Sequence, residues 1–203
     1  MSSIEQAVAA LRAGEPVVLP FDTVYGLAAI ATTEAATRRL YELKGRAPTQ
    51  PSALVAASVD DLVRCVPELR PAAEPLLREL LPGPYTLVVA NPARRFRWLT
   101  GTTPETIGMR VPLLPAATRT AVAAVGAVVA TSANHPGGPD AAALDEVPAE
   151  LRAGAGAAID GGRLPGTPST VVDLSGPQPR IIRRGAAAPE ELLRRLGAAV
   201  RSS

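Results

Sequence analysis

Short apolar runs alternate with longer amphipathic segments along the whole chain, and that alternation is what most restricts its fold. Ile4, Val8 and Leu11 recur at helical spacing over residues 3–13 before Gly14, a glycine stop. Ala36, Leu40 and Leu43 do the same over residues 33–44. Further helices are predicted at 59–65 (capped by Ser58), 71–81, 116–125, 141–152 and 189–200. Between them, strands are predicted at 16–20, 52–57, 85–90, 106–111, 127–131, 156–159, 169–174 and 179–183. Interleaved in this order, the elements predict a layered α/β domain, a twisted mixed β-sheet flanked by helices. No internal repeat or linker divides the chain, so residues 1–203 are expected to form a single domain.

Composition excludes several chemistries. One cysteine, Cys65, makes no internal disulfide, and one histidine, His135, cannot anchor a zinc site by itself, so neither a Cys/His metal centre nor a His-based triad is expected. At 203 residues and 47% apolar the chain buries a substantial core, yet no apolar run reaches the ~18 residues of a membrane span. The first eleven residues alternate charge with alanine, unlike a secretory signal, so a soluble cytoplasmic protein is expected, with no membrane partner. A formal charge of +2 permits anionic ligands without demanding nucleic acid.

Twenty of the 21 basic residues are arginine, and the lone lysine, Lys44, stands where a helix gives way to a loop in Lys44-Gly45-Arg46. An ammonium is a compact point charge suited to phosphate or carboxylate oxygens, but both cations would equally serve as caps of a helix C-terminus. Three other breaks concentrate polar groups at strand ends. Phe21-Asp22-Thr23-Val24-Tyr25-Gly26-Leu27 reads as a turn, with Tyr25 packed beneath it or a functional hydroxyl above it. Thr131-Ser132-Ala133-Asn134 follows an apolar strand, where alternation aims Ser132 and Asn134 into a crevice at the carboxyl edge of the sheet unless they form an Asx turn. His135 beside them reads as a surface residue. Gly161-Gly162, then Pro168-Ser169-Thr170-Val171-Val172-Asp173 and Arg183-Arg184-Gly185, bring a hydroxyl and a guanidinium to the ends of two strands.

In order, these segments, together with Pro82-Gly83-Pro84-Tyr85-Thr86-Leu87 and Met109-Arg110-Val111-Pro112, resemble the YrdC domain family from about residue 4 to about residue 186. Its best-known members are threonylcarbamoyl-AMP synthases, so the resemblance implies an enzyme that condenses L-threonine, bicarbonate or CO2 and ATP into threonylcarbamoyl-AMP and pyrophosphate. The product serves tRNA threonylcarbamoyladenosine modification by downstream threonylcarbamoyl transferase proteins. The resemblance implies Lys44, Arg46, Ser132 and Asn134 at the reacting centre; Thr23, Arg110, Ser132 and Ser169 around L-threonine; and Arg46, Gln50, Thr106, Asn134 and Arg183 around ATP. Mg2+ is expected on the phosphates without protein side-chain ligands. No P-loop or dinucleotide fingerprint is present, so scattered residues must hold the nucleotide.

The chain departs from the family pattern in three places. Proline is displaced to Pro48 and Gln50 stands for an asparagine; Val55 falls where a threonine-binding histidine is common; and Ala141-Ala142-Ala143 replaces a hydroxyl-bearing stretch that touches ATP. These leave the amino-acid substrate open, so a paralogue of different specificity is the alternative, and a single-domain form is expected. A second alternative is an RNA-binding module contacting tRNA or double-stranded RNA, since Arg94-Arg95-Phe96-Arg97-Trp98 interleaves cations with aromatics; a solvated arginine-rich hairpin explains that segment as well.

Overall fold

The computed structural model describes residues 2–70 and 73–201. Helices α1 (Ile4–Arg12), α2 (Glu34–Lys44), α3 (Val59–Cys65), α4 (Glu74–Leu80), α5 (Ala116–Val125), α6 (Ala149–Gly154) and α7 (Pro189–Arg201) surround one mixed sheet. Its strands are β1 (Val17–Pro20), β2 (Tyr25–Ile30), β3 (Ala53–Ala56), β4 (Tyr85–Ala90), β5 (Thr106–Arg110), β6 (Ala127–Ser132), β7 (Ala157–Ala158), β8 (Thr170–Asp173) and β9 (Arg180–Arg183). They lie in the order β7-β1-β2-β6-β3-β5-β4-β8-β9, antiparallel except for the parallel pairs β1/β7, β3/β5 and β4/β8.

Period-two alternation divides the core between the two faces of the sheet. Val18, Leu54, Leu87, Met109, Val129 and Val172 belong to a large cluster with α2, α3, α4 and α7. Val17, Leu19, Ala28, Val55 and Val128 point the other way, into a smaller cluster with α1 and α5. These two helices pack on each other and meet the sheet around β1, β2, β6 and β7. Across β5, β4 and β8, burial alternates: Ile107, Met109, Leu87, Val89 and Val172 are sealed in the large cluster, while Gly108, Arg110, Thr86, Val88 and Val171 line a cavity on the opposite face. The site therefore occupies the part of one sheet face that α1 and α5 leave open.

Two expectations from the sequence need correction. The segment read as a turn at 21–27 continues into β2, a central strand paired with β1 and β6. Tyr-Gly-Leu-Ala-Ala-Ile has little β propensity of its own, but its small side chains suit a strand buried on both faces. Gly26 is required there, because an added Cβ would enter the Phe21 ring and stand 3.2 Å from the Thr131 carbonyl. The predicted helix at 141–152 is not formed as such. Ala143 is extended, Leu144–Glu146 makes a 3-10 turn, and only Ala149–Gly154 after Pro148 is α-helical. Glu146 Oε2 accepts from the Ala142 amide at 2.8 Å, which fixes the irregular segment. The helix predicted at 71–81 is seen from Glu74 to Leu80, and residues 71 and 72 lie outside the described residues.

The arginine-rich segment lies in the loop joining the antiparallel β4 and β5, and its arginines are exposed, as a solvated hairpin expects, but its aromatics are not. Phe96 and Trp98 meet edge to face at 5.8 Å, both pack against the large cluster, and Trp98 Nε1 donates to the Ala31 carbonyl at 3.1 Å. Arg95 makes a bidentate pair with Glu68 at 2.7 Å, and Arg94 stands 3.1 Å from Glu105. The aromatic faces are spent on each other and on the core rather than displayed for stacking.

Gly26→Ala is expected to destabilise the protein by about 1–3 kcal/mol through overpacking against Phe21. Urea denaturation checks this, and an unchanged midpoint would contradict the packing described.

Candidate active site

Helix α2 ends in the left-handed Gly45 (φ 69°), whose amide and that of Arg46 return to the Glu42 and Tyr41 carbonyls. This glycine stop separates the two cations. Lys44 stays on the buried side, 3% exposed, whereas Arg46 turns out over the Tyr41 ring at 5.9 Å and donates from Nη2 to the Pro51 carbonyl at 2.5 Å.

The Lys44 ammonium donates to the Ser132 carbonyl, to the Asn134 carbonyl at 2.9 Å and to Asn134 Oδ1 at 2.8 Å. Its three N–H groups are thus all committed to the segment after β6. Ser132 Oγ donates to the same Asn134 Oδ1 at 2.7 Å, and Asn134 Nδ2 donates to the Gly138 carbonyl at 2.7 Å and to Asp140 Oδ1 at 3.3 Å. The lysine, serine and asparagine form one network that holds the 132–140 loop. Burial foremost, and the Arg46 charge second, lower the Lys44 ammonium to about 8, with Asp140 opposing the shift.

A second network surrounds Arg110. Its Nη2 donates to Asp22 Oδ1 and to Thr23 Oγ1 at 2.8 Å, its guanidinium lies 5.8 Å over the Phe21 ring, and Asp22 Oδ2 accepts from the Leu113 amide at 3.1 Å. The pair is buried, and desolvation holds Arg110 below the usual arginine value, with Asp22 opposing and Arg183 reinforcing the shift. Both Nη2 hydrogens are taken, so a carboxylate in the cavity meets Nε or Nη1 singly rather than a free bidentate fork. The Nε atom is buried without a partner.

At the far wall, Arg183 donates to the Ser169 carbonyl at 2.9 and 3.2 Å and to Ser169 Oγ at 3.2 Å, and Ser169 Oγ is 2.9 Å from Thr86 Oγ1. Buried Thr170 ties this corner down: its Oγ1 accepts from the Gly185 and Ala187 amides at 3.1 Å and donates to the Ala187 carbonyl at 2.6 Å. The Gly185 turn lies so close to Pro168 and Ser169 that a Cβ there would collide with their backbone.

These networks border one cavity of about 580 Å³, ample for a nucleotide and a small amino acid. Arg46, Thr106, Arg110, Ser132, Ser169 and Arg183, six of the residues singled out in the sequence, line it, as does Val55, paired in register with Arg110. The other four do not. Lys44 and Asn134 stand behind the wall, turned toward each other; Thr23 is buried beneath Arg110; and Gln50 is exposed on the rim loop. Ala142 is buried outside the lining, and His135 is exposed, 3.7 Å from Glu150, as a surface residue. Sequence reasoning missed Asp22, Thr86, Thr170 and Asp140. Asp22 carried the clearest signal, an acid directly preceding a suspected hydroxyl. Tyr25 is buried, as the reading that packs it beneath the turn expects; its hydroxyl accepts from the Gly161 amide at 2.9 Å and shares its one proton between Asp160 Oδ1 at 3.0 Å and the Gly162 carbonyl at 2.9 Å, which locks the Gly161-Gly162 turn.

The family model Sua5/YciO/YrdC, described as telomere recombination, matches residues 9–185. The chain belongs to this family. A Homo sapiens relative named threonylcarbamoyl-AMP synthase is 37% identical over 193 residues, covering 91% of this chain and 68% of its own length. The structure of Pyrococcus abyssi Sua5 complexed with L-threonine superimposes with a TM-score of 0.86 at 32% identity, covering 96% of this chain and 57% of that one. Escherichia coli YciO superimposes with a TM-score of 0.80 at 27% identity over 93% of this chain and 92% of its own. The chain thus spans little more than half of the Pyrococcus protein and nearly all of YciO.

Removing Asp22 leaves the buried Arg110 charge uncompensated, so Asp22→Ala is expected to lose about 3–5 kcal/mol of stability. The double variant Asp22→Ala/Arg110→Met should recover part of that loss in chemical denaturation; an undiminished loss would contradict an uncompensated buried charge as its cause.

Proposed function

We propose that the protein is a threonylcarbamoyl-AMP synthase, an ATP-dependent nucleotidyltransferase acting in tRNA modification. The observation that carries the reading is the convergence of Arg46, Arg110 and Arg183 from separate elements on one cavity whose wall also carries Ser132 and Ser169. A cavity so lined suits a ligand set with several anionic groups.

The reaction brings such groups together. The amine of L-threonine adds to the carbon of bicarbonate or CO2 to give a carbamate, with loss of water from bicarbonate or of the amine's proton to solvent when CO2 is attacked. A carbamate oxygen then attacks the α-phosphorus of ATP, the bond to the bridging oxygen breaks, and pyrophosphate leaves with that electron pair. Carbamate and triphosphate repel each other, and the protein's task is to position them and offset their charge. Arg46, Thr106 and Arg183 bind the nucleotide, with Gln50 reaching in from the rim. Arg110 takes the threonine carboxylate through Nε or Nη1, and Ser169 and Ser132 complete the amino-acid end. Thr23 acts through Arg110. Lys44 and Asn134 hold Ser132 and add one positive charge from behind the loop. Val55, beside Arg110, is the position at which amino-acid specificity is set.

Mg2+ bound with ATP would supply further charge neutralisation, with Arg46 and Arg183 holding the phosphates beside it. The product passes to transferase proteins that modify tRNA. None of the described helices is long and apolar enough to cross a membrane.

Pyrophosphate release from ATP and bicarbonate should require L-threonine among a panel of amino acids and fall at least about 100-fold in Arg46→Ala. Release stimulated by another amino acid instead would assign the chain to a paralogue. The Lys44 ammonium is charged below about 8 and loses its proton as pH rises through that value. The ratio of wild-type to Lys44→Arg kcat/KM, in which substrate titrations cancel, should therefore fall across that pH. A flat ratio would remove the lysine charge from the account.

A further inference from the structure

Among the described residues, four side-chain polar atoms are buried without a hydrogen-bond partner: Thr37 Oγ1, Arg46 Nε, Ser52 Oγ and Arg110 Nε. The last three belong to residues that line the cavity. Such atoms are uncommon in folded proteins, and three of them on residues of one cavity mark where a ligand's polar atoms would be received. The two arginines are already accounted for by anionic substrates; Ser52 is not.

Ser52 is 8% exposed and immediately precedes β3. Its backbone is fixed, since its amide donates to the Leu99 carbonyl at 2.8 Å. The carbonyl of the preceding Pro51 takes Arg46 Nη2 at 2.5 Å, so the 46–51 loop brings Arg46 and Ser52 to the same end of the cavity. Other cavity-lining hydroxyls spend their proton within their own loop and are left only to accept: Thr100 Oγ1 donates to the Arg97 carbonyl at 2.9 Å, Thr103 Oγ1 to the Thr100 carbonyl at 3.3 Å and Thr106 Oγ1 to the Thr103 carbonyl at 3.3 Å. Arg46 has no carboxylate partner among the described residues; its contacts are the Pro51 carbonyl and the Tyr41 ring. An unpaired guanidinium N–H and an unpaired hydroxyl on residues lining one cavity offer two donors for the oxygens of one anion.

We propose that Ser52 is a further nucleotide-binding residue, its hydroxyl and Arg46 Nε together holding oxygens of the ATP phosphate chain. The inference rests on the reading of the cavity as an ATP site. It also makes a statement about stability, because a hydroxyl buried unpaired in the free protein is a liability that Ser52→Ala removes.

Calorimetric titration of the full chain and of Ser52→Ala with ATP, tripolyphosphate and adenosine, beside thermal unfolding without ligand, tests it. The variant should unfold at the same or a higher temperature, bind ATP and tripolyphosphate about five- to tenfold more weakly, and bind adenosine as the parent does. Undiminished affinity for ATP and tripolyphosphate would overturn the assignment. So would an equal loss with adenosine, which would move the contact to the nucleoside, or a lower unfolding temperature, which would make the hydroxyl structural. Failure of the parent chain to bind ATP at all would overturn the synthase reading itself, and the inference with it.

Discussion

The site follows from an incomplete covering of one sheet face. Helices α1 and α5 pack against each other and over β1, β2, β6 and β7, while the large cluster seals the opposite face with α2, α3, α4 and α7. Where β5, β4 and β8 run beyond that cover, outward side chains have no helix to meet. Threonine, glycine, valine and arginine stand there instead of large aliphatic residues. A concave floor built on strands is rigid, because each residue is fixed by its ladder on both sides, and rigidity is what a charge-stabilising site requires. The cations are then added from strand ends and loops: Arg46 after α2, Arg110 at the end of β5 and Arg183 at the end of β9.

The lysine and arginines divide their work according to their chemistry. Lys44 has all three donors satisfied by Ser132 and Asn134, so its compact ammonium is suited to a buried knot of carbonyl oxygens that a planar fork would fit poorly. The arginines each keep donors uncommitted toward the cavity while one edge is anchored, Arg46 by Pro51, Arg110 by Asp22 and Thr23, and Arg183 by Ser169. Anchoring one edge fixes the direction of the other, which reduces the ordering required when an anion binds. The partnerless Nε atoms of Arg46 and Arg110 record the same arrangement from the side of the free protein.

Much of this was legible in the sequence, and the misses have physical causes. Strands with alternating apolar residues, such as β4 and β5, were read correctly because their two faces differ. β2 was read as a turn because a strand buried on both faces and filled with glycine and alanine carries no alternation, and its identity depends on β1 and β6 flanking it. The helix expected over 141–152 failed because three alanines suggest helix, whereas Pro148 and the Glu146 contact with the Ala142 amide decide otherwise. Six of ten suspected residues line the cavity. That Lys44 and Asn134 turn toward each other instead is a matter of side-chain direction behind a loop, which spacing does not encode. Asp22 was passed over because an acid had no evident task among anionic substrates; its task is to hold Arg110.

The most direct test is a crystal structure of the protein with a non-hydrolysable ATP analogue and L-threonine. The account predicts both molecules in the one cavity, phosphate oxygens against Arg46 and Arg183, and the amino-acid carboxylate on Arg110 with Asp22 still paired to it. Ligands bound elsewhere, or an Arg110 that abandons Asp22 to grip the carboxylate with both of its ends, would contradict it.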